Sequence, residues 1–248
     1  MLAFAASVAI ACGHDVPGSP TAPVMPTPGA TYQKATPIAA NRMFGYYGYR
    51  EVDAGCGWTN WVLVYTTSVE ESRQAAASAV RCRQQVTWTP FAGFEKNWDL
   101  YKTLIKPFSD AGVLHSVYAW DEPMANGVSY DRLAAIVAMI HAEGWKAMIT
   151  EQAGGIDKPH PAVDYFGLDW YATPMHMVRR VLQMHPEVNI LCAAAYGPNF
   201  QNQEEQFALA QEMRVGIIWW MWPSLSGYQG VVDAPEIQAL HRQLYARW

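Results

Sequence analysis

Eight short apolar runs, separated by polar or amphipathic stretches, constrain this chain more than any other feature. They are "MFGYYGY" (43–49), "NWVLVYT" (60–66), "QVTWTPF" (85–91), "LHSVYAW" (114–120), "KAMITEQ" (146–152), "VDYFGLDWYA" (163–172), "VNILCAAAY" (188–196) and "VGIIWWMW" (215–222). Each reads as a buried strand. Helical periodicity falls between them, over 69–82, 97–111, 129–143, 174–184, 203–213 and 234–246. Ser68 with Glu71 three residues on has capping-box spacing, and Ser129 just ahead of Asp131 marks another helix start. Gly112 and Gly144 stand where helices should stop. Eight strands with helical crossovers between 43 and 246 predict an α/β fold, a single small (β/α)8 TIM barrel. The segments after strands 1 and 5, "REVDAGCGWT" and "AGGIDKPHPA", are too short for full helices, so two crossovers should be abbreviated. The rival, an open doubly wound sheet, normally carries a Gly-rich phosphate loop after its first strand, and none is present.

The chain ahead of the barrel has a different character. "MLAFAASVAIAC" (1–12) is apolar, too short to span a bilayer, and ends at Cys12. Ala9 and Ala11 before that cysteine resemble the lipobox of bacterial lipoproteins, and the resemblance implies lipidation of Cys12. Residues 13–38 are rich in Pro, Gly, Thr and Ala without apolar periodicity and read as a flexible tether. The order is then signal 1–12, linker 13–38 and barrel 39–248, with an exported product in the periplasm or on the bacterial surface, lipid-anchored or secreted.

A formal net charge of -5, with 17 basic residues scattered along the chain, leaves no basic stripe for nucleic acid. The seven histidines show no paired ligand spacing, and no nucleotide or flavin motif occurs, so neither a metal nor a cofactor is expected. Cys56 and Cys82 precede strands 2 and 3, on the same mouth of a barrel, and could be joined in an exported protein. Cys192, inside strand 7, reads as a buried thiol. Eleven Trp and 13 Tyr suit a cleft that stacks flat ligand faces as well as a large core.

Barrels of this kind gather reacting residues at the C-terminal ends of their strands. That rule selects Asp121 and Glu122 after strand 4, Glu151 on strand 5 and Asp169 on strand 6 as candidate catalytic groups. It selects Tyr46, Trp170, Tyr171, Tyr196, Trp220 and Trp222 as candidate substrate contacts. In strand 8, alternation puts Trp220 and Trp222 on one face and Trp219 on the other.

"DEP" at 121–123 resembles the Asn-Glu-Pro of barrel glycoside hydrolases, with Asp121 in place of the Asn, and implies that Glu122 protonates the leaving oxygen. The adjacent Asp-Glu pair is also similar to hexosaminidase-like barrels, in which the substrate's acetamido group attacks and the Asp steadies it. Retaining members of the Asn-Glu-Pro group carry a glutamate after strand 7, whereas "NILCAAAYGP" has no acid. The second role then passes to Glu151, Asp169, Asp121 or the substrate, with Asp169 or Glu151 preferred for a two-carboxylate mechanism and Asp121 as orienting partner. Acetal cleavage requires a proton on the departing oxygen and negative charge near the oxocarbenium-like carbon, which two carboxylates in different protonation states supply. The expectation is a monomeric glycoside hydrolase-like barrel acting on a polysaccharide or glycan. The competing expectations are a non-catalytic carbohydrate-binding lipoprotein with the same aromatic rim, and an envelope protein whose barrel holds a protein partner.

Overall fold

The computed structural model describes residues 38–49, 52–90, 93–170, 174–195, 202–220, 224 and 229–248. The eight apolar runs form parallel strands: β1 (Phe44–Tyr49), β2 (Trp61–Val64), β3 (Gln85–Trp88), β4 (Leu114–Asp121), β5 (Ala147–Gln152), β6 (Tyr165–Trp170), β7 (Ile190–Ala194) and β8 (Gly216–Trp220). Each pairs with its sequence neighbour, and β8 returns to β1 to close the barrel. Helices α1 (Val69–Cys82), α2 (Trp98–Asp110), α3 (Tyr130–Ala142), α5 (Met175–Met184), α6 (Gln203–Met213) and α7 (Pro235–Ala246) cover the outside, and α4 (Ala153–Ile156) is a single turn. The two abbreviated crossovers are this turn after β5 and a 3-10 turn, Val52–Gly55, after β1.

Local chemistry sets the helix ends. Ser68 Oγ accepts the Glu71 amide at 3.2 Å, while Glu71 Oε2 reaches back to the Thr67 amide at 2.7 Å, satisfying two donors that a helix start leaves without partners. Ser129 caps α3 through the Arg132 amide at 3.3 Å. Gly112 and Gly144 follow α2 and α3 at φ +69° and +73°. Two other stops carry no such signal: Arg83 and Arg214 end α1 and α6 in the left-handed region at φ +56°.

Two apolar cores result. The larger lies between sheet and helices and includes Phe44, Trp88, Phe108, Ile140, Phe207 and Trp219. The smaller fills the barrel interior with Met43, Tyr47, Trp61, Leu63, Tyr118, Met148, Tyr165, Ile190, Cys192 and Ile218. Ile38 and Ala40 pack under this inner core. The Ile38 amide donates to Gln85 Oε1 at 2.9 Å, and its carbonyl lies 3.2 Å from His115 Nε2, so the chain entering the barrel covers its N-terminal mouth. Cys56 and Cys82 form a disulfide spanning 26 residues, with Cα atoms 4.8 Å apart. In the chain-entropy account a loop of that length contributes about 3–4 kcal/mol.

Candidate active site

The acids meet because of one irregularity in β4. Tyr118 belongs to the barrel interior, so alternation alone would turn Trp120 inward and Asp121 outward. A register shift against β5 between Tyr118 and Trp120 resets the phase. Ala119 and Trp120 both face the helices, and Asp121 swings over the pore. There its Oδ1 accepts the Tyr118 hydroxyl at 2.7 Å and the Thr150 hydroxyl at 2.9 Å. The Tyr118 and Thr150 hydroxyls are themselves in contact.

Glu122 follows at φ +49°, a left-handed conformation seldom adopted by a residue with a side chain and one that clusters at functional corners. Its amide still completes the sheet ladder to the Thr150 carbonyl at 2.9 Å, so the strand ends and the corner begins at one residue. Gln152 Nε2 donates to Glu122 Oε2 at 3.0 Å. Burial, then the charges of Asp121 and Glu151, push the Glu122 carboxyl up to about 7.

Asp169 enters the interior from β6, opposite Gln152 on β5 and Cys192 on β7 in register. It is 4% exposed. Burial first, and then Asp121, raise its proton affinity well above the ordinary carboxylate range, against side-chain hydrogen bonds with Thr150 and Cys192 that act the other way. Burial and the same acids also push the Tyr118 hydroxyl and the Cys192 thiol upward, so both stay protonated. The interior thus presents Asp121 as acceptor of two hydroxyls, beside Glu122 and Asp169, whose carboxyls are both pushed toward the protonated form. Among the described residues, no group of three or more His, Cys, Asp and Glu is arranged to hold a metal ion.

The other candidates lie elsewhere. Glu151 alternates out of the pore, because Met148, Thr150 and Gln152 take the inner face of β5, and it is fully buried beneath the loop that follows Glu122. Tyr46 points outward from β1 and lies between the sheet and α7, in contact with His241 and Trp58. Trp219 also faces outward, against Phe44 and His241, whereas Trp220 packs on the inner core. Trp170 ends β6, its side chain outside the described set; Tyr171, Tyr196, Trp222 and Cys12 lie outside the described residues. Tyr118, Thr150 and Gln152 were absent from the sequence-derived set. Strand alternation on β5 carried the signal for Thr150 and Gln152, since it groups them apart from Glu151.

No protein-family model matches the sequence, and no curated protein matches it. Solved structures do resemble the fold. A β-mannanase from Streptomyces thermolilacinus with mannohexaose superimposes at TM-score 0.53 and 15% identity, over 72% of this chain and 74% of that one. A β-glucuronidase from Ruminococcus gnavus in complex with D-glucuronic acid gives 0.55 and 11%, over 79% of this chain and 48% of that one, so this chain matches about half of its length. A xylanase and α-amylase inhibitor protein from Scadoxus multiflorus gives 0.50 and 14%, over 82% and 98%. Identity this low establishes a shared (β/α)8 barrel and nothing further.

Proposed function

We propose that this barrel is a glycoside hydrolase-like enzyme that cleaves glycosidic bonds of a polysaccharide or glycan, with Glu122 as the general acid. The observation that carries the reading is the half-buried Glu122 carboxyl at the strand-end corner, poised at about 7 beside Asp121. An acid that keeps its proton near neutrality can pass it to a departing glycosidic oxygen, and such transfer typically contributes about 10²–10⁴ in rate.

Asp121 is the charge-bearing partner. Oriented by Tyr118 and Thr150, it faces the developing positive charge on the sugar ring, or steadies a substrate group that attacks in its place. Asp169 lies beneath, its proton affinity raised by burial and by Asp121. Trp220 supplies an apolar face where sugar C–H groups stack. The mannanase and glucuronidase with which the barrel shares its fold support a carbohydrate substrate. Export belongs to the same proposal, supported by the Cys12-ended leader and by a disulfide of the kind that persists in oxidising compartments.

A second reading, a barrel that binds glycans without cleaving them, is favoured by the end of β7, where Ala194 and Ala195 stand and no acid does. One experiment separates the two. Wild-type protein and Glu122→Gln are screened on a glycan panel for released reducing ends and, in parallel, for binding. The enzyme reading expects turnover in the wild type, a loss of about 10²–10⁴ in the variant, and retained binding. Binding without turnover in the wild type supports the second reading, and undiminished turnover in Glu122→Gln rejects the acid assignment.

A further inference from the structure

Glu151 is a fully buried carboxylate outside the pore, and the acid chemistry above leaves it without a task. Its surroundings are built for an anion. Oε2 accepts the Met124 amide at 2.7 Å, and Oε1 accepts the Ala125 amide at 3.3 Å and the Gln152 amide at 3.1 Å. His160 Nε2 lies 3.5 Å from Oε2 with its side chain 8% exposed. A Cβ on Gly155 would fall 2.2 Å from Oε1, so only glycine leaves room for the carboxylate. Lys158 Nζ donates to the Met124 carbonyl at 2.7 Å and ties the same loop from the other side.

Met124 and Ala125 are the second and third residues after Glu122. We propose that Glu151 is a positioning residue for Glu122: from beneath the β4–α3 loop its carboxylate gathers the amides that follow the left-handed corner, holding that corner in shape and aiming the acid into the pore. The proposal rests on the reading of Glu122 as the acid. A neutral amide could not do the same, because a glutamine offers one acceptor and would turn an N–H toward backbone donors.

Glu151 also acts on Glu122 through its charge. Asp121 of β4, Glu151 of β5 and Asp169 of β6 surround Glu122, with Gln152 donating to it. His160 and Lys158, both from the segment after α4, are the groups facing Glu151 and its loop. Removing the Glu151 charge therefore lowers the proton affinity of Glu122, an effect that a purely structural prop would not have.

The test is ¹³C-carboxyl NMR of Glu122 in wild type, Glu151→Gln and Glu151→Asp, with amide hydrogen exchange of Met124 and Ala125 in the wild type. The proposal expects both amides to be protected in the wild type. It expects the Glu122 midpoint to move down in Glu151→Gln and to stay nearer the wild-type value in Glu151→Asp, which keeps the charge. On a glycan that the wild type cleaves, kcat in Glu151→Gln falls about 10- to 100-fold with KM little changed. Unprotected amides in the wild type, a measurement that needs no variant to fold, or an unmoved Glu122 midpoint in folded Glu151→Gln, would overturn it. Turnover by Glu122→Gln would remove the acid assignment while leaving the NMR outcomes standing, so the two failures are distinguishable.

Discussion

Two of the polar networks among the described residues differ in kind, and one of them resembles a reaction centre. In the β1–α7–α6 sector, the Tyr46 hydroxyl meets His241 Nδ1, His241 Nε2 lies 2.8 Å from Gln203 Oε1, and Gln203 Nε2 donates to the Ala194 carbonyl at 2.6 Å. One neutral tautomer satisfies the whole chain, with Nε2 donating and Nδ1 accepting. Burial presses His241 down to about 3, so no charge enters. In the β4–β6 sector, Asp121, Glu122 and Asp169 converge on a backbone turned left-handed at Glu122. Burying polar groups is thus common to structural and functional parts of the molecule. What separates them is a cluster of carboxyl groups brought together at a left-handed corner over the pore.

The largest effect expected from this contrast is on turnover. Glu122→Gln loses about 10²–10⁴ in rate without a fall in thermal midpoint, whereas His241→Leu keeps the rate within a few fold, as assays for released reducing ends beside melting curves will show. The stability effect runs the other way. His241→Leu breaks a buried hydrogen-bond chain and costs about 2–4 kcal/mol in denaturant unfolding. Tyr118→Phe removes one of the two hydroxyls on Asp121; kcat should fall about tenfold for about 1 kcal/mol or less of stability, a split that kinetics and unfolding together can check.

The smallest effects are on pH dependence, and the two sectors have opposite signs. The folded value for His241 lies below its ordinary 6.5, so between about 3 and 6.5 the unfolded chain binds the extra proton and stability falls as pH falls. Glu122 lies above its ordinary 4.5. Through the window from 4.5 to about 7 the folded chain keeps a proton that the unfolded chain has shed, and stability falls as pH rises. Glu122→Gln should therefore melt higher than wild type at pH 8, and the gap should close by pH 5. A His241 variant should instead flatten the loss on acidification.

Much of the architecture was legible in the residues. The span of α1 follows from Ser68 and Glu71, and the short crossovers after β1 and β5 follow from their length. Facing was harder to read. β1 places Phe44, Tyr46 and Tyr47 in succession, aromatic on both sides, so its composition could not say that Tyr46 turns to α7. The extra residue in β4 has no local marker, yet it alone brings Asp121 over the pore. Glu151 and Asp169 both stand at strand ends, and only the alternation of Thr150 and Gln152 around Glu151 tells them apart. At Arg83 and Arg214 the helices close in a left-handed turn that side-chain preference would have given to glycine, with the Gln84 amide donating to the Ala79 carbonyl at 2.9 Å and the Val215 amide to the Ala210 carbonyl at 3.0 Å.

The most direct test is the titration of Glu122 itself in the wild-type protein, followed through its carboxyl ¹³C resonance. A midpoint near 7 is the predicted result, the signature of an acid still loaded at neutral pH. A midpoint at the ordinary 4.5 would leave Glu122 without a proton to give and contradict the account.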